Sequence, residues 1–196
     1  MKQLLVATRN RGKIKEIRAL LDGLVEEILC VADLPDLPET VEDGATFSDN
    51  ALKKAREACL ASGLPVLADD SGLVVNGLGG RPGVFSARFA GSDADDGANN
   101  RKLLQEVAGL TQSERSAAFV CSMAFVSPDG VEQLFEGRVA GTIIDQPRGG
   151  HGFGYDPLFL VDGYQQTMAE LPLDEKNRIS HRGQALQAFK LYLGRA

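Results

Sequence analysis

Apolar and polar residues follow one another along the chain in blocks that predict an α/β fold. The run KQLLVA at Lys2–Ala7 is typical of a buried strand, and Lys13–Leu21 has apolar residues at helical spacing. A second strand is predicted at Glu26–Val31, and the proline- and acid-rich stretch Ala32–Gly44 predicts a loop. A strand followed by a tight turn and a helix is the first unit of an α/β fold.

The remaining blocks continue this alternation of strands and helices. Thr46–Ser62 predicts a helix that Thr46 caps and Gly63 ends. Further along we predict a short strand at Pro65–Ala68, a glycine-rich loop at Gly77–Gly83, a helix at Ala94–Val107, hairpin strands at Ala117–Val126 and Val131–Ala140, a second glycine-rich loop at Pro147–Asp156, and a last helix from Ser180 through Leu193.

Composition narrows the class of protein. The 196 residues, 43% of them hydrophobic, fit a single domain over residues 1–196. A net charge of −6 argues against binding to nucleic acid. No apolar run reaches the roughly 18–20 residues of a membrane helix, and the N-terminus does not read as a signal peptide. We therefore expect a cytoplasmic protein whose three cysteines (Cys30, Cys59 and Cys121) are buried free thiols.

Four segments, each after a strand or before a helix, concentrate the polar chemistry. They are Thr8–Lys13, Asp69–Gly72, Gly149–Asp156 and Lys176–Arg182, which we interpret as loops. Ligand sites of α/β sheets gather at the carboxyl ends of strands. The sequence therefore predicts one pocket built from all four segments.

The first segment has the features of a phosphate-binding turn. Backbone N–H groups at a helix start attract anions, and a lysine adds a point charge. The turn is not a Walker motif, because Ala7 replaces its first glycine and Ile14 its Ser or Thr. The alternative is a solvated basic turn in which Asn10 caps the helix. The residues concerned are Thr8, Arg9, Asn10, Arg11, Gly12 and Lys13.

The second segment places two carboxylates side by side. Asp69 and Asp70 follow an apolar strand and repel each other, so a compensating Mg²⁺ ion is expected. One of them could accept a proton from water, and Ser71 lies next to them. Upstream, Glu42 is a candidate second metal ligand, and Lys54 a candidate phosphate contact. The alternative is an Asx turn that leads into a hairpin.

The last two segments predict recognition of a base. Phe153, Gly154, Tyr155 and Asp156 lie in a glycine-rich loop whose aromatic rings could stack on a base. The alternative is a tight chain reversal with the rings in the core. Lys176, His181 and Arg182 supply hydrogen-bond donors near a helix start, where cations oppose the helix dipole unless an electronegative partner is present. The alternative is that Lys176, His181 and Arg182 form an exposed basic turn.

In this order the segments resemble one family, the inosine triphosphate (ITP) pyrophosphatases, also called dITP/XTP pyrophosphatases. The resemblance spans essentially the whole chain. Its motifs are ATRNRGK at Ala7–Lys13, DGATFSDNALKKA at Asp43–Ala55, LADDSGL at Leu67–Leu73, GVFSARFAG at Gly83–Gly91, GFGYDPLF at Gly152–Phe159 and EKNRISHRGQAL at Glu175–Leu186.

The resemblance implies a fold, a reaction and an assembly. The fold would be an elongated, twisted mixed sheet flanked by helices, with two lobes and the active site in a central cleft. The enzyme would be a Mg²⁺-dependent homodimer. It would hydrolyse ITP, dITP and XTP between the α and β phosphates, giving a monophosphate and pyrophosphate and keeping these purines out of DNA and RNA.

The resemblance also assigns roles to residues. Thr8–Lys13 would hold the triphosphate, Asp70 would be proton acceptor and metal ligand with Asp69 in support, and Ser71 would touch substrate. Phe153–Asp156 would form the base slot. Lys176, His181 and Arg182 would recognise the 6-keto oxygen, which leaves donors unpaired against adenine. The chain departs from the family at Val41, where a metal-binding glutamate is common, and at Arg9, where glycine is common.

Two other hypotheses are open from the residues alone. One is a Maf-like pyrophosphatase, which shares the chemistry of phosphates and acids and would act on dTTP or UTP. The other is a nucleotide-sensing module that binds without turnover. The paired acids argue against a module, because binding alone rarely needs a base that activates water.

Overall fold

A computed structural model describes residues 1–194 of the chain and forms a mixed α/β structure. The strands are β1 (Gln3–Val6), β2 (Glu27–Cys30), β3 (Val66–Val75), β4 (Ser116–Val126), β5 (Glu132–Ile143) and β6 (Phe159–Val161). The helices are α1 (Arg11–Leu21), α2 (Phe47–Ser62), α3 (Asp96–Val107), α4 (Leu173–Ile179) and α5 (His181–Leu193), with short 3-10 turns elsewhere.

The six strands form one sheet in the order β2-β1-β3-β4-β5-β6. Strand β1 pairs in parallel with β2 and with β3, whereas β5 and β6 are antiparallel. The sheet is therefore mixed, and the predicted fold class of a mixed sheet with flanking helices is confirmed.

The described chain divides into two compact units, each made of discontinuous segments. The first unit contains Met1–Asp70, Cys121–Gly137 and the described residues from Arg182 onward. Its core has two clusters: one joins α1 and α5 to residues such as Leu67 and Met123, and the other joins α2 to Ala68 and Ala124.

The second unit contains Ser71–Val120 and Arg138–His181 and has a core of its own. Helix α3 contributes Leu103 and Val107 to that core, where they join Phe119 and Phe159. Each unit thus buries an apolar interior independently, which is the main source of its stability.

Helix α2 begins and ends where the sequence predicted. The Oγ1 atom of Thr46 accepts a hydrogen bond from the Asp49 N–H at 3.1 Å, and the Asp49 carboxylate accepts one from the Thr46 N–H at 3.2 Å. This reciprocal capping box satisfies two backbone donors at the helix start. Gly63 ends the helix with a φ of 68°, a left-handed conformation that glycine adopts without steric cost.

Two predicted loops are corrected by the structure. The expected strand end at Ala68 and turn at Asp69–Gly72 are wrong, because β3 continues through the acid pair to Val75. The expected loop at Lys176–Arg182 is also wrong, since its first residues lie in α4 and His181 begins α5. Side chains of neighbouring helices contact the carboxylates of Asp69 and Asp70. Both acids can therefore lie within β3, without a solvent-exposed turn.

Two further expectations were that the cysteines are buried free thiols and that no helix crosses a membrane. All three cysteines are buried free thiols, as predicted. Across residues 1–194, the helices are too short or too polar to cross a membrane.

Candidate active site

Strand geometry explains why two adjacent aspartates of the first unit lie in different surroundings. Successive side chains of a strand point to opposite faces of the sheet. Leu67 packs with the α1 and α5 cluster, and Asp69, two residues on, contacts side chains of the same two helices. Ala68 packs with the α2 cluster, and Asp70 contacts α2.

Asp69 is the centre of a buried ion-pair network. Its Oδ2 atom lies 2.9 Å from the Nζ of Lys13 and 3.3 Å from the Nη2 of Arg182. The Nη1 of Arg182 in turn lies 2.6 Å from the Oε2 of Glu16. Burial alone would raise the pKa of Asp69, but the charges of Lys13, Arg182 and Lys54 outweigh it and hold this pKa well below its usual range. Asp69 is therefore a fixed anion.

Asp70 has the opposite electrostatic character. Burial raises its pKa above the ordinary value, and the nearby Glu42 carboxylate adds to the rise. The charge of Lys54 and a hydrogen bond from Asn50 oppose this change without cancelling it. A carboxylate that holds its proton more tightly than usual is a better proton acceptor once it is ionised.

Asn50 fixes the orientation of Asp70. This fully buried side chain of α2 donates from Nδ2 to the Oδ2 of Asp70 at 2.8 Å. Its Oδ1 atom accepts the N–H of Gly44 at 2.8 Å, so both ends of the amide are bound. A Cβ atom at residue 44 would lie 2.6 Å from that same Oδ1, so the close approach requires glycine.

Lys54 links Glu42 to the acid pair. Its Nζ atom lies 2.7 Å from the Oε1 of Glu42 and donates to the Asp69 carbonyl at 2.6 Å. Burial lowers the pKa of Lys54, but the charges of Asp69, Glu42 and Asp70 outweigh it and raise this pKa. Lys54 therefore stays cationic, as a phosphate contact requires.

The donor set near Asp70 fits the Mg²⁺ ion that the resemblance implies. Glu42 and Asp70 offer the hard carboxylate oxygens that Mg²⁺ prefers, and a cation would offset the burial and the Glu42 charge that raise the Asp70 pKa. Within residues 1–194 no group of three or more His, Cys, Asp or Glu side chains could hold a metal by itself. The ligand set would therefore need water and substrate phosphate, as is common for Mg²⁺.

The predicted phosphate turn forms the start of α1. Asn10 caps the helix, its Oδ1 accepting the N–H groups of Gly12 at 2.9 Å and Lys13 at 3.1 Å. The Oγ1 of Thr8 accepts the Asn10 N–H at 3.2 Å. Arg9 is exposed and forms an ion pair with Glu39 at 3.4 Å. The capping alternative for Asn10 is thus observed, and Lys13 is the residue of the turn that reaches the acid pair.

In the second unit, Asp156 and Lys176 form a buried ion pair at the glycine-rich loop. Their Oδ2 and Nζ atoms are 2.7 Å apart, and both side chains are at most 5% exposed. The same Oδ2 accepts the Phe153 N–H at 3.0 Å, and the Lys176 Nζ lies 4.9 Å from the centre of the Phe153 ring. A Cβ atom at Gly152 would lie 2.0 Å from that Oδ2, so this turn also requires glycine.

Some residues near this ion pair lie in the glycine-rich loop, and others are buried in the core. Phe153 is half-buried, whereas Tyr155 packs in the core and donates its hydroxyl to the Ser86 carbonyl at 2.8 Å. The Gly154 N–H donates to Asp96 at 2.7 Å. His181 is buried, and its ring stacks on Phe119 with centroids 4.9 Å apart. For Tyr155, the alternative of a ring in the core is therefore the one observed.

The structure thus groups the predicted residues into two sets. The first unit brings together Lys13, Glu42, Lys54, Asp69, Asp70 and Arg182, and the second brings together Phe153, Asp156 and Lys176. Ser71 is half-buried and lies in the part of β3 that belongs to the second unit.

Glu16 was not predicted as a site residue, and no role was predicted for Asn50. The available signal was the position of Glu16 beside Ile17 on the apolar side of α1, where an unpaired acid is costly. For Asn50, the signal was its position four residues before Lys54, which places both polar side chains on the same face of the helix.

Comparisons with known proteins match nearly the whole chain. The Ham1 family model matches residues 4–192. A dITP/XTP pyrophosphatase of Geobacter sulfurreducens is 56% identical over 194 residues, covering 99% of this chain and 98% of the relative. One of Bacillus licheniformis is 46% identical over 196 residues, covering 100% of both chains.

Solved structures give the same result for the fold. A HAM1 protein from Coxiella burnetii has a TM-score of 0.90 at 41% identity and covers 100% of both chains. The Staphylococcus aureus Ham1 protein has a TM-score of 0.87 at 38% identity and covers 98% of both. Because the family model and the relatives match nearly the entire chain, this protein is a member of the Ham1 family.

Proposed function

We propose that this protein hydrolyses deaminated purine nucleoside triphosphates, namely ITP, dITP and XTP, to a nucleoside monophosphate and pyrophosphate. The observation that carries the proposal is the different setting of two adjacent carboxylates: Asp69 lies 2.9 Å from Lys13 and 3.3 Å from Arg182, whereas Asp70 accepts a hydrogen bond from Asn50 and has a raised pKa. Relatives named dITP/XTP pyrophosphatase support the choice of substrate.

The chemical step assigns Asp70 as the general base. Its carboxylate would accept a proton from water as the water oxygen attacks phosphorus and the bond between the α and β phosphates breaks. The Asn50 hydrogen bond keeps the accepting carboxylate oriented throughout. General-base catalysis of this kind contributes about 10²–10⁴-fold to a rate.

The cations of the first unit would balance substrate charge. Lys13 and Lys54 already lie beside Asp69, and their Nζ atoms can be shared with phosphate oxygens. Arg182 is held by Glu16 and Asp69 and keeps Asp69 ionised. Asp70 and Glu42 would hold Mg²⁺, which when bound would neutralise phosphate charge and orient the triphosphate.

We assign base selection to the second unit. The Lys176 ammonium, anchored by Asp156 beside the Phe153 ring, is a hydrogen-bond donor suited to a 6-keto oxygen. The 6-amino group of adenine is itself a donor, so adenine would leave Lys176 without an acceptor. His181, at the first residue of α5, is the second donor that we assign to this role.

The experiment that tests this function is a substrate panel with product identification. ITP, XTP, ATP, dTTP and UTP are each incubated with the protein and Mg²⁺, and nucleotide and phosphate products are separated. We expect IMP and pyrophosphate from ITP, with turnover of ATP lower by about 10²-fold or more. Faster turnover of dTTP or UTP would favour a Maf-like enzyme. Orthophosphate as first product would contradict cleavage between the α and β phosphates, and binding of ITP without any product would indicate a sensing module.

We also infer that the working form is a cytoplasmic, Mg²⁺-dependent homodimer, as the family resemblance implies. Sedimentation velocity at micromolar concentration tests the dimer, which predicts a mass of twice 20.9 kDa. Loss of turnover in EDTA and its return on addition of Mg²⁺ test the metal dependence.

A further inference from the structure

Helix α1 presents two different polar faces in the first unit. Lys13 and Glu16 point toward Asp69 and Arg182, and the neighbouring Ile17 is buried in the core. Residues of a helix rotate by about 100° each, so positions 11, 14, 15 and 18 share the opposite face. That second face is not part of the acid network and has an environment of its own.

The second face lines a cavity of about 810 Å³. Its other wall is the segment from Cys30 to Pro35, which follows β2. The lining residues in the described chain are Thr8, Arg9, Arg11, Ile14, Lys15, Arg18, Cys30, Val31, Ala32, Leu34 and Pro35, and none of them is acidic. Lys13, Lys54, Asp69 and Asp70 are not in this lining, so the cavity does not include the acid network, although Thr8, Arg9 and Arg11 of the lining belong to the predicted phosphate turn.

Charge and apolar surface occupy different parts of this cavity. Arg9, Arg11, Lys15 and Arg18 supply four of the 21 lysines and arginines of a chain whose net charge is −6. Arg9 pairs with Glu39 at 3.4 Å, and the charge of Arg18 acts on the Asp33 carboxylate next to the wall. Neither Arg11 nor Lys15 forms an ion pair with any residue between 1 and 194. Arg18 donates to the Ile28 carbonyl at 3.2 Å, which fixes its guanidinium beside the cavity wall.

We propose that this cavity, here called the α1 pocket, is a second binding site for an organic phosphate of the size of a nucleoside monophosphate. The cations would bind the phosphate, and the apolar wall of Val31, Leu34 and Pro35 would contact the organic part. Small-molecule sites are typically about 300–1,000 Å³ and combine apolar walls with a few charged groups. This binding goes beyond the proposed hydrolysis and does not depend on it.

Two other ligand classes fit less well. A bare inorganic anion would leave the apolar wall in water, and a neutral apolar ligand would desolvate the cations without pairing them. An organic phosphate uses both parts of the pocket. The apolar wall has no hydrogen-bonding pattern that selects one base, so binding should be tolerant of base identity.

The test is calorimetric titration of the whole protein with AMP, without metal and at low salt. AMP is chosen because the proposed active site discriminates against adenine. We expect one saturable site that inorganic phosphate and adenosine each bind at least about tenfold more weakly. No saturable AMP binding, or equal affinity for inorganic phosphate, would overturn the proposal.

Variants locate the site. K15Q/R18Q should weaken AMP binding about tenfold or more, because each lost cation removes a charge-assisted contact. A32E, which adds an acid to the pocket while retaining Lys15 and Arg18, should do the same. The control K190Q/R101Q removes the same charge from exposed positions of α5 and α3 and should bind like wild type.

The outcomes separate this pocket from the active site. Wild-type AMP affinity in both K15Q/R18Q and A32E would refute the α1 pocket, whatever the result of the ITP assay. If K15Q/R18Q unfolds at a lower temperature than wild type, the AMP affinity of A32E decides whether AMP binds in the α1 pocket. Turnover of ITP by A32E should stay within about twofold of wild type, since Ala32 touches none of the acid network, and failure of ITP hydrolysis in wild type would count only against the proposed function.

Discussion

The acid network of the first unit and the ion pair of the second unit both bury charge, but they balance it differently. In the first unit, four carboxylates (Asp69, Asp70, Glu16 and Glu42) face three cations (Lys13, Lys54 and Arg182). In the second unit, the Asp156 carboxylate lies 2.7 Å from the Lys176 ammonium.

The difference separates a carboxyl group of raised pKa in the first unit from an anchored hydrogen-bond donor in the second. Burial raises the pKa of Asp70, and the charge of Glu42 in the same network adds to the rise, so this carboxyl holds its proton more readily than Asp69 does. In the second unit, the Asp156 carboxylate anchors the Lys176 ammonium, which is a hydrogen-bond donor. The first arrangement suits proton transfer, and the second suits recognition of a carbonyl oxygen.

The largest expected effect comes from removing the Asp70 carboxylate. Asp70→Asn should lower kcat for ITP by about 10²–10⁴-fold, because the amide cannot accept the proton of water. The folded structure should persist, since an amide can still accept the Asn50 hydrogen bond. The matched control is Asp43→Asn, which removes an exposed acid paired with Lys53 and should leave kcat nearly unchanged. Steady-state kinetics and thermal melting of both variants give the answer.

Breaking the ion pair of the second unit should have the next largest effect, on stability and on base selection. Lys176→Met leaves the Asp156 carboxylate buried without its cation, which costs about 3–5 kcal/mol of unfolding free energy. The double variant K176M/D156N should recover most of that stability but not the preference for ITP over ATP. Arg178→Met, which breaks an exposed pair on the same helix, is the control and should change little. Equal destabilisation by Lys176→Met and Arg178→Met would contradict the burial argument.

A smaller effect should follow from crowding the amide that orients Asp70. In Gly44→Ala the new Cβ atom would lie 2.6 Å from Asn50 Oδ1, so the amide must shift and its bond to Asp70 weakens. We expect about tenfold lower kcat with an unchanged KM for ITP. Gly109→Ala has nothing within 4 Å of its Cβ position and is the control. A Gly44→Ala enzyme with wild-type kcat would exclude Asn50 from a positioning role.

The smallest expected effect is a pH dependence of stability measured in EDTA. The raised pKa means that the Asp70 carboxyl stabilises the folded protein below the ordinary aspartate value of 3.8, and that this contribution is lost as pH increases through the raised value. Asp70→Asn has no carboxyl group at this position and does not lose this contribution. The Tm of the variant minus the Tm of wild type should therefore increase with pH. Asp69 has a lowered pKa and contributes stability above the ordinary value, so Asp69→Asn should be most destabilising near neutral pH and less so in acid. Parallel Tm curves for the two variants would contradict the contrast.

Local signals predicted much of the fold from the sequence. The capping residues of α2, the periodicity of α1 and the hairpin signal between β4 and β5 depend on neighbours within a few positions, and these elements are confirmed. The acid pair was also found as a motif. The turn assigned to it was wrong, because the partners that allow Asp69 and Asp70 inside β3 are distant in sequence.

Long-range pairing explains what the sequence did not reveal about the site. Glu16 and Arg182 are separated by 166 positions, and Arg182 and Asp69 by 113. No periodicity or spacing connects such residues, so the role of Glu16 emerges only when the chain is folded. That the two units act on the two ends of one nucleotide stays a prediction.

The most direct test of the contrast between Asp69 and Asp70 is to titrate the two aspartates in the metal-free protein. Carboxyl ¹³C shifts of wild type, assigned with Asp69→Asn and Asp70→Asn, give both pKa values in one pH series. The structure predicts an Asp70 pKa above 3.8 and an Asp69 pKa below it. The reverse order, or two equal values near 3.8, would contradict the assignment of Asp70 as the base and Asp69 as the fixed anion.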